Sequence, residues 1–169
     1  MDKTNEYVNK QEKICSNLLK QFNNELGWFN KMKQNEEKSI IDYTCIDKKG
    51  RKCHVELKKR NANIDTYDTI LLDATKLYQW TKIGESGATL NEQRLYFNFM
   101  DDGVIIFDIN NLSAMTFYPS HKQWNPTKNA YEHRDKIGLP IKNAIVYKKN
   151  ENNKLQRVQN ERYIKTYKT

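Results

Sequence analysis

The chain has 169 residues, a formal net charge of +8 and an isoelectric point of about 9.3. Its length suits one domain with its own core, although 37% hydrophobic residues and a mean hydropathy of −0.95 predict a small core under a very polar surface. No apolar run approaches the ~20 residues of a membrane span and the opening Met1-Asp2-Lys3-Thr4-Asn5-Glu6 lacks the apolar stretch of a signal peptide, so no membrane partner is expected and the protein reads as soluble and cytoplasmic.

Residues 3–26 carry an apolar stripe, Ile14, Leu18, Phe22 and Leu26 with Cys15 and Leu19 beside it, at the spacing of an amphipathic helix. Gly27 supplies the stop. At ~100° per residue, Glu12 and Glu25 fall on opposite edges of the stripe. Glu25 would sit at the negative pole of the helix dipole, where another negative charge is disfavoured.

Next come Ser39-Ile40-Ile41-Asp42 and His54-Val55-Glu56-Leu57-Lys58, separated by the turn signal Asp47-Lys48-Lys49-Gly50-Arg51. The two runs read as a β-hairpin. With those five residues as the loop, Ile46 pairs with Lys52, Thr44 with His54 and Asp42 with Glu56. Opposed residues share a side of the sheet. Alternation adds Lys58 to the side of Glu56 and turns Val55 and Leu57 to the other. A two-residue turn at Lys49-Gly50 would instead set Asp42 opposite Leu57 and scatter the group.

Two opposed carboxylates repel. A divalent cation between them turns the repulsion into a binding site, since Mg2+ accepts one or two carboxylates plus phosphate oxygens and water. Lys58 is then placed to steady an attacking hydroxide or the charge growing on a phosphate. The plainer alternative is a solvated hairpin face.

Residues 61–66 form a polar connection expected to be mobile, and Ile70-Leu71-Leu72 has the character of a buried strand. A helix over 74–82 follows, with Leu77 and Trp80 inward and Lys76 reaching toward phosphate. Gly84-Glu85-Ser86-Gly87 is a loop, and two apolar runs around Asp101-Asp102-Gly103 form a hairpin. Pro119 to Pro126 reads as a loop, 131–137 as a short helix and 141–147 as a last strand.

Asp42, a hairpin of this length and Glu56-Leu57-Lys58 resemble the PD-(D/E)xK nuclease superfamily, the restriction-endonuclease-like fold. The stretch from Tyr67 to Asp73, running on to Trp80, is similar to the short third strand and following helix of its small phage-type members. Leu95 to Phe99 and Val104 to Asp108 are similar to the next hairpin. The resemblance covers roughly residues 6–108, nothing after about 110 takes part, and Ile41 stands where the family's name has proline. It implies one α/β domain over 1–169, a central mixed sheet flanked by helices in the order αβββαβ, with a basic C-terminal extension from about 142.

The resemblance further implies a DNA-cleaving phosphodiesterase that uses Mg2+, with Mn2+ able to substitute. Asp42, Glu56 and the main-chain carbonyl of Leu57 would hold the metal, and Lys58 would orient or activate the attacking water. Members often bring an extra acid from the first helix, well before its end, which favours Glu12 over Glu25. Two alternatives stand beside the enzyme. One is a nucleic-acid-binding protein of the same fold that does not cut. The other is a phage or mobile-element protein that binds a host protein through the aromatic surface around Tyr118, Trp124 and Tyr131. Fold alone does not select the substrate.

The positive charge favours an anionic partner, nucleic acid being the commonest, although an AT-rich genome also yields lysine and asparagine. Basic residues gather late in the chain, at Lys142, Lys148, Lys149, Lys154, Arg157, Arg162, Lys165 and Lys168, interleaved with Tyr147, Tyr163 and Tyr167. Lysines contact phosphates and tyrosines stack on bases, while a solvated terminus is the bland reading. DNA contacts are also expected from His54, Lys59, Arg60 and Lys76, and a homodimer is left open. Three cysteines without a CxxC spacing exclude a zinc ribbon. Cys45 opposes Cys53 on the face away from the acids, as buried thiols in a reducing compartment. His121 and His133 read as surface residues.

Overall fold

The computed structural model describes residues 3–36, 39–82, 92–125 and 128–158. Helix α1 (Lys3–Leu26) follows the apolar stripe, burying Cys15, Leu19 and Phe22. Gly27 ends it at φ 61, the left-handed conformation that glycine adopts without strain, and its N–H closes on the Asn23 carbonyl at 2.7 Å. The Asn23 side chain then bonds the Phe29 N–H (2.7 Å) and carbonyl (3.1 Å), which turns the chain into the first strand.

Strands β1 (Phe29–Gln34), β2 (Tyr43–Asp47), β3 (Lys52–Lys59) and β4 (Thr69–Asp73) follow, then helix α2 (Ala74–Lys82). After it come β5 (Gln93–Phe99), β6 (Gly103–Asp108), β7 (Thr116–Asn125), β8 (Ala130–Pro140), β9 (Ile145–Lys149) and β10 (Leu155–Val158). Seven strands form the main sheet in the order β1-β2-β3-β5-β6-β9-β10. The β3–β5 pair is parallel, and the other pairs are antiparallel. A second, antiparallel sheet has the order β4-β8-β7. The molecule is therefore an α/β structure with a mixed sheet.

Alternating side chains divide the core between the two faces of the main sheet. One face packs Val55, Leu57, Leu95, Phe97 and Ile106 against α1, with Phe22 edge-on to Phe97 at 5.2 Å. The other sets Tyr96, Ile105, Phe107 and Val146 against Ile70, Leu72, Trp80 and Leu139 of β4, α2 and β8. Gly103 is required where β6 meets β9, because a side chain there would collide with the Tyr147 carbonyl and Ile64.

Several expectations are corrected. The main sheet gains β1, which leaves no pattern in the sequence because only Phe29 of its six residues is buried. The run at Ile70-Leu71-Leu72 is a strand, but it belongs to the second sheet. The connection expected to be mobile is pinned by a 3-10 turn (Ile64–Thr66), with Ile64 fully buried and its N–H on Asp102 Oδ1 at 2.7 Å. The expected loop from Pro119 and the expected helix over 131–137 are instead a long β-ribbon, β7–β8. Pro119 is accommodated because it lies in the register shift between Tyr118 and His121, where the ladder is interrupted and Ser120 takes φ 50. The expected last strand over 141–147 opens as a 3-10 turn at Ile141–Asn143 and continues as β9, and it is not the last, because β10 follows it. Gly84 to Gly87 and Arg162, Tyr163, Lys165, Tyr167 and Lys168 lie outside the described residues. Among the described residues no helix is long and apolar enough to cross a membrane.

Candidate metal and phosphate site

The turn between β2 and β3 sets the register. Asp47 Oδ1 accepts the N–H groups of Lys49 and Arg51, each at 2.8 Å, and Oδ2 takes the Arg51 guanidinium at 2.7 Å. Gly50 supplies φ 78. The loop therefore closes over five residues, and Ile46 pairs with Lys52, Cys45 with Cys53, Thr44 with His54 and Tyr43 with Val55. Cys45 and Cys53 are free buried thiols, pushed up by burial to about 12 and about 11. One step beyond β2, the Asp42 N–H bonds the Val55 carbonyl at 3.0 Å. Asp42 Oδ2 accepts the Leu57 N–H at 2.7 Å. The two acids thus come together as the five-residue loop requires.

Glu56 is buried. One carboxylate oxygen is paired with the Lys76 ammonium from α2. The other, Oε2, is buried with no hydrogen-bond partner. Burial raises the Glu56 carboxyl to about 8, against the pull of Lys76 and with further upward pressure from Asp42. Lys58, one alternation along the same face, has an exposed side chain that lines two clefts, where its ammonium is partly desolvated among the neighbouring groups. Its pKa is lowered by that desolvation and by the like charges of Arg60 and Lys76.

An unpartnered buried oxygen next to a second carboxylate fits a hard cation. Among the described residues no three His, Cys, Asp or Glu side chains gather into a cage. An ion here would therefore rely on Asp42, Glu56, main-chain oxygen and exchangeable water or phosphate, which is the coordination Mg2+ tolerates.

Two clefts open from this point. The smaller, of about 490 Å³, runs under α1 and is lined by Glu12, Cys15, Asn35, Asp42, Glu56 and Lys58 among others. Glu12 is thus brought to the site, whereas Glu25 is far from it, accepting the Leu155 N–H at 2.6 Å. The larger cleft, of about 940 Å³, is walled on one side by Glu56, Lys58 and Lys76 and on the other by His121, Gln123, Arg134 and Lys136 of the ribbon. The ribbon's share in the site was not read from the sequence. Burial alternates over His121-Lys122-Gln123-Trp124-Asn125, but the half-buried positions are polar and Trp124 faces outward, so no apolar face marks the strand in the sequence.

Several residues expected to touch nucleic acid are otherwise engaged. His54 is buried and bonds Glu92 at 2.7 Å through Nε2. Lys59 donates to Asp101 and to the Arg60 carbonyl. Arg60 clamps the two sheets together, bonding Asn98 Oδ1 at 2.7 Å, the Leu71 carbonyl at 2.8 Å and Tyr96 Oη at 3.1 Å. Lys148 pairs with Asp65 and, at 3.5 Å, Asp102, and Lys149 reaches the Asp101 carbonyl at 3.2 Å. Arg157 is exposed on β10, four strands from β3, or roughly 19 Å at ordinary strand spacing.

No family model matches the chain, and no curated protein is significantly similar to it.

Proposed function

We propose that the protein is a metal-dependent deoxyribonuclease with a restriction-endonuclease-like core. The observation that carries this reading is the meeting of Asp42 with the buried Glu56, whose Oε2 has no partner, while Lys58 follows on the same face. The element order lends support. The chain order is α1-β1-β2-β3-β4-α2-β5, which is compatible with αβββαβ once β4, a strand of the second sheet, is set aside, so that β1 rather than β4 would be the third strand.

Asp42, Glu56 and the Leu57 carbonyl would hold Mg2+, with Glu12 at the rim. When bound, the ion supplies Lewis-acid stabilisation of charge on the phosphate and acidifies water. The Leu57 N–H keeps the Asp42 carboxylate oriented, as ligand-orienting hydrogen bonds do. Lys58, holding its proton less tightly than an ordinary lysine, positions the attacking water and exchanges a proton with it. Lys76 is the neighbouring cation that turns from Glu56 to the substrate phosphate.

The Lys76–Glu56 ion pair also favours a second reading, in which the lysine permanently satisfies the acid and the protein binds nucleic acid without cutting. Incubation with DNA separates the two. The nuclease nicks or degrades DNA in Mg2+ or Mn2+ and is silent in EDTA, and Ca2+ supports binding with little turnover because its looser coordination positions water poorly. Metal-independent binding with no products would support the binder.

A further inference from the structure

The outer face of the β7–β8 ribbon carries an aromatic pair that the fold does not use. Trp124 and Tyr131 are directly opposed across the two strands, with ring centroids 5.2 Å apart in an edge-on arrangement. They are 49% and 63% exposed. Lys122, two residues before Trp124 on the same face, lays its ammonium over the Tyr131 ring at 4.6 Å. His133, opposite Lys122, belongs to this face and also lines the larger cleft. The acid that shares the face, Asp135, is turned into the bulge, where it accepts the Ser120 N–H at 2.9 Å. An aromatic surface with one lysine laid over it therefore begins one side-chain step, about 7 Å, beyond the rim of the cleft that holds Glu56 and Lys58.

We infer that this face is a stacking platform for unpaired bases, and that the preferred substrate is DNA with a single-stranded segment next to the cleavage point. The inference rests on the nuclease reading of the Asp42–Glu56 site. Single-strand sites combine aromatic faces, on which any base stacks, with cations that follow the phosphates, and Trp124, Tyr131 and Lys122 supply both. Trp and Tyr also anchor protein interfaces. Continuity with the cleft, whose walls carry Lys58, Lys76, Arg134 and Lys136, and the Lys122 ammonium beside the rings favour nucleic acid over a protein partner.

The test uses fluorescence anisotropy in EDTA, so that no turnover intervenes, on a blunt duplex and on the same duplex carrying a single-stranded extension. The unaltered chain should bind the extended DNA more tightly. Trp124→Ala and Tyr131→Ala should each remove most of that preference, on the order of tenfold, and leave blunt-duplex affinity in place. Trp124→Phe should retain much of it, which separates stacking from a folding defect. Single-stranded DNA should also shield Trp124 from iodide quenching. Equal affinity of the alanine variants and the unaltered chain for both DNAs would overturn the inference, and it would do so alone if Mg2+-dependent cleavage persists. Absence of both DNA binding and cleavage in the unaltered chain would remove the nuclease reading and this inference with it. A partner protein displaced by Trp124→Ala, with DNA affinity untouched, would assign the platform to protein binding instead.

Discussion

Glu56 shows how burial and function conflict in one side chain. Its carboxyl titrates near 8 in the fold against an ordinary 4.5, so the folded state binds the proton more tightly than the unfolded chain. Its stabilising contribution is complete below the ordinary pKa and is lost as pH rises through about 8. In EDTA, thermal melts of the unaltered chain should therefore show a loss of stability across that window that Glu56→Gln largely abolishes. Relief of the repulsion from Asp42 adds roughly 0.5–1 kcal/mol to the variant at the alkaline end. Asp42 behaves differently despite its proximity. Asp42→Ala strands the Leu57 N–H at a cost of about 1–3 kcal/mol, whereas Asp42→Asn keeps an acceptor there and should melt close to the unaltered chain. Lys76 competes with any cation for Glu56, so Lys76→Met should bind Mn2+ more tightly by calorimetry while weakening DNA binding. Unchanged Mn2+ affinity would mean that the lysine is not in the way.

At the level of elements, the β2–β3 hairpin was the most legible part of the chain, because Asp47 and Gly50 specify the loop and the loop fixes the register of Asp42 against Glu56. Helix α1 was equally clear from its stripe. Strand β1 was invisible because an edge strand with one buried residue, in the sequence Phe29-Asn30-Lys31-Met32-Lys33-Gln34, shows no alternation to read. The ribbon was misread because most of its residues are exposed, so its strands lack an apolar face, and because Pro119 normally argues against a strand. The basic end of the chain was legible in composition, whereas the partners its lysines take within the fold were not. Lys148 and Lys149 are already taken by Asp65, Asp102 and the Asp101 carbonyl. Neutralising these two lysines should leave the salt slope of DNA affinity unchanged and lower stability by no more than about 1 kcal/mol. Neutralising Arg157, if β10 lies along the duplex, should flatten that slope by about 0.9.

Across the whole molecule, the site exists because two sheets meet. The main sheet contributes Glu56 and Lys58, the second sheet brings the ribbon, and α2 delivers Lys76 between them. Arg60 joins the two, which the sequence could not disclose, since an arginine two residues after Lys58 reads equally well as a phosphate ligand. Arg60→Ala removes three hydrogen bonds from a charged donor, each worth about 1.5–3 kcal/mol before relaxation. It should therefore lower the melting temperature far more than Lys59→Ala does. The central claim is that Asp42 and Glu56 together hold a catalytic metal. The most direct measurement is a time course of plasmid cleavage in Mg2+ by the unaltered chain beside Glu56→Gln, with circular dichroism establishing that both are folded. Cleavage by the unaltered chain and none by the variant is the expected result. A folded Glu56→Gln variant that cuts as fast as the unaltered chain would contradict it.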